Sequence, residues 1–76
     1  MGTSDQAWRE RIVCDPKVRS GEPTIRGTRV PVSVVVANLA EMSPDELRSH
    51  YPQLAPDDIR AALLYAAEAS HNTLVA

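Results

Sequence analysis

Arg26 and Arg29 lie on either side of a Gly-Thr pair inside residues 20–31, which read Ser-Gly-Glu-Pro-Thr-Ile-Arg-Gly-Thr-Arg-Val-Pro. Glycine adopts turn conformations that strain other residues, so the pair predicts a tight turn. The two guanidinium groups are then expected to project from its tip, and guanidinium groups bind phosphate oxygens through paired hydrogen bonds. The spacing therefore predicts a turn that faces an anion. The alternative is a solvated hairpin turn without a ligand.

Charge is divided unevenly along a chain whose net charge is −2. Residues 1–30 carry six basic and four acidic side chains, hence +2, whereas residues 31–76 carry two basic and six acidic side chains, hence −4. This division indicates two surfaces with different partners. If the chain binds DNA, we expect electrostatic contacts from the basic side chains Arg26 and Arg29, supported by Lys17, Arg19 and Arg60.

A competing interpretation gives the turn arginines a structural role, in which they hold the hairpin to carboxylates of the helical half, such as Asp45 or Asp57. These two interpretations remain open at the level of sequence.

Catalysis and metal binding are not expected. The chain has no nucleophile–base set and no phosphate-binding glycine loop beside a helix, and Asp57-Asp58 is explained by helix capping. Cys14, His50 and His71 are far apart and match no zinc spacing. We therefore expect neither an enzyme nor a cofactor.

The length of 76 residues and the single cysteine limit how this protein can be stabilised. A domain of this size has a small core, and no internal disulfide can form, so association into a homodimer is the expected aid to stability. The sequence contains no apolar run of about 18 residues, so no membrane span is predicted, and the N-terminus lacks a secretory pattern. A cytoplasmic location is expected.

The chain is predicted to be mainly α-helical and to contain one domain over residues 11–69. A polar tail, 1–10, with Trp8 as its one large anchor, precedes a β-section at 11–31, whose strand-prone pieces are 11–14 and 24–30. Three helices are predicted at 33–41, 43–50 and 56–69, followed by a tail at 70–76. The valine run at 34–36 is the weakest part of this assignment, because β-branched residues also favour a strand.

Helix-start signals differ between the second and third helices. Ser43, Pro44 and Glu46 form the pattern of a capping box with proline at the first helical position. The third helix begins with Pro56 and two carboxylates, but Ala55 is a weak N-cap. Its apolar residues extend almost around the helix, which predicts burial on more than one side.

The arrangement of a short helix, a turn and a longer helix is that of a helix-turn-helix, although a plain three-helix core has the same pattern. Asp57 and Asp58 oppose DNA reading by the third helix, since they lie at its N-terminus and would face phosphates.

Several motifs together resemble the domain-of-unknown-function 433 family, over about residues 9–68. They are Arg-Ile-Val-Cys-Asp-Pro at 11–16, Gly-Glu-Pro-Thr-Ile-Arg-Gly-Thr-Arg-Val-Pro-Val at 21–32, Met-Ser-Pro-Asp-Glu-Leu at 42–47, Tyr-Pro-Gln-Leu at 51–54, and Asp-Asp-Ile-Arg-Ala-Ala-Leu at 57–63. The resemblance implies a homeodomain-like, helix-turn-helix-like core of three helices preceded by a small N-terminal β-section.

The resemblance also implies a function, that of a VapB-type antitoxin in a toxin–antitoxin system. Such a protein neutralises a PIN-like ribonuclease toxin and binds operator DNA for transcription regulation. Antitoxins often bind through a terminal segment that becomes ordered on binding. On that basis the toxin-binding residues are expected near the C-terminus, namely Leu64, Tyr65, Glu68, Leu74 and Val75. The alternative is a protein-interaction or structural module of helix-turn-helix shape without DNA binding.

Overall fold

A computed structural model describes the backbone of residues 7–17 and 19–74, and the side chains of all of these except 19 and 72–74. The elements follow in the order of a 3-10 helix (Ala7–Arg11), strand β1 (Ile12–Val13), a 3-10 turn (Arg19–Gly21), strand β2 (Thr24–Ile25), and helices α1 (Val32–Asn38), α2 (Pro44–His50) and α3 (Pro56–Leu74). The predicted class, mainly α with a small β-section before three helices, is confirmed.

The β-section is a two-stranded antiparallel sheet in which Ile12 lies opposite Ile25 and Val13 opposite Thr24. A further antiparallel bridge joins Thr24 to Pro31. Two-stranded ribbons are marginal alone and need packing against other elements. Here the second strand is buried, with Ile25 fully inaccessible to solvent.

One hydrophobic core joins the sheet to the helices. Its buried members are Ile25, Val30, Val32, Val35, Leu47, Leu54, Ile59 and Ala62. The helices α1, α2 and α3 all contribute to this set, and α1 and the N-terminal 3-10 helix make the most extensive contacts with α3.

Helix α1 contains the valine run that sequence propensity leaves between helix and strand. Val32 and Val35 are buried one helical turn apart, so the helical conformation places both in the core. The helix spans Val32–Asn38 and is followed by turns, so it ends three residues before the predicted end. Tertiary burial decides the conformation here, because the local preference of valine is weak.

Helix α2 begins with the predicted capping box. The Ser43 hydroxyl accepts a hydrogen bond from the Glu46 N–H at 3.2 Å, and the Glu46 carboxylate accepts one from the Ser43 N–H at 3.0 Å. The helix runs over Pro44–His50 and ends before Tyr51-Pro52.

Helix α3 extends to Leu74, five residues beyond its predicted end, so that residues 70–74, predicted as tail, are helical. No glycine or proline follows Pro56, so nothing in the local sequence stops the helix earlier. The terminal residues Val75 and Ala76 lie outside the described residues.

The predicted N-terminal tail also differs from the structure. Residues 1–6 lie outside the described part, but Ala7–Arg11 forms a 3-10 helix that packs against α3. Arg9 is the residue that connects these two elements, as described below.

Within the described ranges 7–17 and 19–74, no helix combines the length and apolar character needed to cross a bilayer.

Candidate functional site

The predicted turn is a well-formed β-turn that directly follows strand β2. The Thr28 N–H donates to the Ile25 carbonyl at 3.1 Å, and the Ile25 N–H donates to the Val30 carbonyl at 2.9 Å. Gly27, in the third position, has a φ of +81°, whereas Arg26 does not have a positive φ. This combination is that of a type II turn, which explains why a glycine follows Arg26.

Thr28 closes the turn with its side chain. Its hydroxyl donates to the Ile25 carbonyl at 2.9 Å and accepts from the Val30 N–H at 3.0 Å. Four hydrogen bonds within residues 25–30 therefore hold the backbone that carries the two arginines.

Both turn arginines are exposed, as predicted, but they differ in their contacts. Arg26 Nε donates to the Glu10 carbonyl at 2.5 Å, which fixes the orientation of its guanidinium group. Arg29 makes no hydrogen bond or ion pair within the described part of the chain. The pair therefore combines one oriented cation with one that is open to an external anion.

The carboxylates at the start of α3 are bound by a different arginine, Arg11. Its Nη1 donates to Asp58 Oδ1 at 2.8 Å, and its Nη2 lies 3.6 Å from Asp57 Oδ2. No ion pair joins Arg26 or Arg29 to a carboxylate among the residues that the structure describes. The competing structural role thus belongs to Arg11, which sequence reasoning did not single out.

Asp58 is only 7% exposed, and its carboxylate has two hydrogen-bond partners. Besides Arg11, it accepts a hydrogen bond from the Ala55 N–H at 2.9 Å. This second bond is half of a capping box, in which a side chain at the third helical position binds the backbone of the N-cap residue. Asp58 therefore compensates for the weak N-cap at Ala55.

Residues 10 and 11 bring the arginine turn to the N-terminus of α3. The Arg26 N–H donates to the Arg11 carbonyl at 2.7 Å, the Arg26 side chain binds the Glu10 carbonyl, and the Arg11 side chain binds Asp58. Arg60, which is exposed, lies two residues further along α3. The predicted objection to DNA binding is reduced, because Asp58 is buried and Arg11 lies close to both carboxylates.

The other two predicted DNA-binding residues, Lys17 and Arg19, lie before the turn. Lys17 is exposed, and its N–H donates to Asp15 Oδ1 at 2.9 Å. The side chain of Arg19 lies outside the described residues.

The five predicted toxin-binding residues have different surroundings. Leu64 is half-buried, while Tyr65 is half-buried and packs against the core. Burial raises the pKa of the Tyr65 phenol, and interactions with Cys14 and Glu68 raise it further. The side chain of Leu74 and the whole of Val75 lie outside the described residues.

Glu68 is bound to the N-terminal 3-10 helix. Arg9 Nη1 donates to Glu68 Oε1 at 2.7 Å, and Nη2 donates to the second carboxylate oxygen. Hydrogen bonding to Arg9 lowers the pKa of the Glu68 carboxyl. The Arg9 guanidinium also lies 4.6 Å from the centre of the Trp8 ring, a cation–π distance.

An open groove lies beside the second half of α3, between this helix and α1, and has a volume of about 390 Å³. Its walls are mostly apolar, from Val32 and Val36 of α1 and Tyr65 and Ala66 of α3. Sequence reasoning found only a part of this feature, namely that α3 is apolar on more than one side.

The fold and these two sites define a class of protein. It is a small, mainly helical protein with a fixed cationic turn and an apolar groove. A family model described as "Protein of unknown function (DUF433)" matches residues 12–66. The chain therefore belongs to the DUF433 family, and the predicted resemblance is confirmed.

The chain is also similar to two known proteins. Uncharacterized protein y4eO of Sinorhizobium fredii (strain NBRC 101917 / NGR234) is 39% identical over 61 residues, which cover 79% of this chain and 28% of that protein. The chain thus spans little more than a quarter of the length of this curated relative. The crystal structure of a duf433 member protein from Anabaena variabilis ATCC 29413 matches with a TM-score of 0.73 and 34% identity, and covers 88% of this chain and 67% of that chain.

Proposed function

We propose that this chain is the antitoxin of a type II toxin–antitoxin pair. In this function it neutralises a PIN-like ribonuclease by direct binding, binds operator DNA as a homodimer, and acts in the cytoplasm without catalysis. The named relatives carry no functional description, so the proposal depends on the family resemblance together with the surfaces of this chain.

The observation that carries the proposal is the presence of two chemically different surfaces on one small domain. The arginine turn, residues 26–29, is cationic and fixed, which suits phosphate groups. The groove between α1 and α3 is apolar, which suits a protein partner. An antitoxin that also represses transcription needs two such surfaces.

The DNA contact is assigned to the turn together with the N-terminus of α3. Arg26 and Arg29 bind phosphates from the turn, and Arg60 extends the cationic surface along α3. Backbone contacts of this kind position a protein on DNA but do not read the sequence.

The test of the proposal uses the PIN-like protein encoded beside the gene for this chain. It is purified with and without co-expressed antitoxin, and its cleavage of a fluorogenic RNA is measured. We expect the two proteins to co-purify and an equimolar amount of this chain to abolish cleavage. Ribonuclease A, measured with the same RNA, should be unaffected.

Full cleavage in the presence of excess chain, or the lack of such a neighbouring protein, would contradict the antitoxin function. Binding to the promoter fragment upstream of the gene pair is measured separately. Inhibition of the ribonuclease without any affinity for that fragment would favour the alternative, an interaction module that does not bind DNA.

A further inference from the structure

We propose that the groove between α1 and the second half of α3 is the docking site for an amphipathic helix of the ribonuclease partner, with a basic side chain next to its apolar face. This inference rests on the proposed function and adds the surface and the chemistry of the contact. It replaces the C-terminal tail by the body of the fold as the binding element.

The two flanks of the second half of α3 differ in how far other elements cover them. One flank is covered by the N-terminal 3-10 helix, which is fixed there by the bidentate contact of Arg9 with Glu68. The other flank, at Tyr65, Ala66 and Ala69, forms one wall of the groove, and no further helix or strand of the described residues covers it. An open apolar wall beside a covered one is the place where a further element can pack.

The shape of the groove fits a helix. Two helices form its walls, and exposed alanines at positions 37 and 69 allow the backbone of a third helix to approach closely. A volume of about 390 Å³ accepts several apolar side chains from one helical face. The exposed ends of an occupying helix would remain in solvent.

The charge of the groove specifies the occupant. Glu22 is the one charged residue among those that line the groove in the described structure, and its Oε2 accepts a hydrogen bond from the Ser33 hydroxyl at 3.0 Å. A ribonuclease must attract RNA phosphates and carries basic residues near its cleft. A basic amphipathic helix of the ribonuclease is therefore complementary to this groove in both polarity and charge.

Two alanines of α3 provide a matched test. Ala69 lines the groove, whereas Ala67, which is also exposed on the same helix, does not line it. Ala69→Arg and Ala67→Arg add the same charge and bulk to exposed helical positions, where arginine is well tolerated. We expect Ala69→Arg to weaken binding of the PIN-like neighbour at least tenfold by titration calorimetry, and Ala67→Arg to change it less than twofold.

A second pair of variants tests the charge. Glu22→Gln should weaken binding of the ribonuclease and reduce its salt dependence, whereas Glu41→Gln, at an exposed site that does not line the groove, should change neither. Circular dichroism of each variant shows whether the helices are retained.

The outcomes separate the two proposals. Wild-type binding that Ala69→Arg leaves intact contradicts the docking site, while the antitoxin function stands. Wild-type chain that does not bind the ribonuclease contradicts both. Conversion of a dimer of this chain to a monomer by Ala69→Arg, measured by sedimentation without ribonuclease, would assign the groove to a second copy and overturn the proposed occupant.

Discussion

At the scale of single residues, three arginines of the basic half have three different tasks. Arg11 holds a buried carboxylate, Arg26 is oriented by a backbone carbonyl, and Arg29 remains available to an external anion. Sequence alone shows three arginines and does not distinguish their tasks. The contacts show which of them support the fold and which are available for function.

Replacing Arg11 tests the first task. Arg11→Ala removes the 2.8 Å hydrogen bond to Asp58 and leaves this buried carboxylate with the Ala55 N–H as its remaining described partner. Loss of a partner from a buried charged group costs about 1–3 kcal/mol. We expect the free energy of unfolding in urea to fall by this amount. Arg60→Ala, at an exposed site, should change it by less than about 0.5 kcal/mol, and equal effects of the two variants would contradict the assignment.

Replacing the turn arginines tests the second and third tasks. Arg26→Ala/Arg29→Ala should flatten the dependence of log affinity for operator DNA on log salt by about 1 unit per lost phosphate contact in each subunit. The control Arg26→Lys/Arg29→Lys keeps the charge and should keep the slope. Circular dichroism should be nearly unchanged in both, because the two side chains are exposed. A wild-type slope in the alanine variant would exclude this contact.

At the scale of elements, short helices of this chain depend on their ends. Helix α2 has 7 residues, too few for stability by helix propensity alone. Its reciprocal hydrogen bonds between Ser43 and Glu46, and the burial of Leu47, compensate for this. Helix α3 instead begins at Pro56 after an alanine at the N-cap position, and the Asp58 carboxylate accepts the hydrogen bond from the Ala55 N–H.

The capping box of α2 gives a direct prediction. Ser43→Ala should lower the free energy of unfolding by about 1 kcal/mol, because the Glu46 N–H loses its acceptor. Ser49→Ala is the control, since this exposed serine of the same helix is not a cap. We expect the control to leave stability unchanged or to raise it by a few tenths of a kcal/mol. Urea denaturation of both variants measures the difference.

The contact between the N-terminal 3-10 helix and α3 should depend on pH. The pKa of Glu68 is lowered in the folded chain, so the contact is fully present above the ordinary glutamate value of about 4.3 and is lost as pH falls through the lower folded value. Trp8, the single tryptophan of the chain, lies against Arg9, so its fluorescence should change in this acidic range.

Glu68→Gln should remove this transition, whereas Glu10→Gln should keep it. Far-ultraviolet circular dichroism over the same range shows whether the helices persist. A fluorescence transition that is identical in wild type and Glu68→Gln would show that another group causes it.

At the scale of the whole molecule, a small core and an open surface favour association. The described core is a single cluster, and Leu63 is a large apolar side chain that remains 44% exposed on α3. Leu63 does not line the groove, so a dimer through this part of α3 leaves the groove accessible to the ribonuclease.

We expect the chain to sediment as a homodimer of its 8.3 kDa unit at micromolar concentration. Leu63→Glu should shift it to the monomer, because the charge would be buried in the contact, whereas Leu63→Met should remain dimeric. A wild-type protein that stays monomeric over this range would contradict the prediction.

The sequence by itself determined the features that depend on neighbouring residues. The capping box joins residues three apart, and the Gly27 turn joins Ile25 to Thr28. Such interactions form within a few residues, so that residue type and spacing predict them. The family resemblance depends on the same local motifs and is confirmed.

Only the tertiary structure decided which distant residues meet. Arg11 and Asp58 are 47 positions apart, and Arg9 and Glu68 are 59 apart, so no local pattern distinguishes these partners from the other charges of the chain. The same holds for the groove, whose walls come from α1 and α3, and for the second half of α3, which lies between the N-terminal 3-10 helix and the groove. Contacts of this kind depend on how packed elements lie against one another, and burial of the shared core fixes that arrangement.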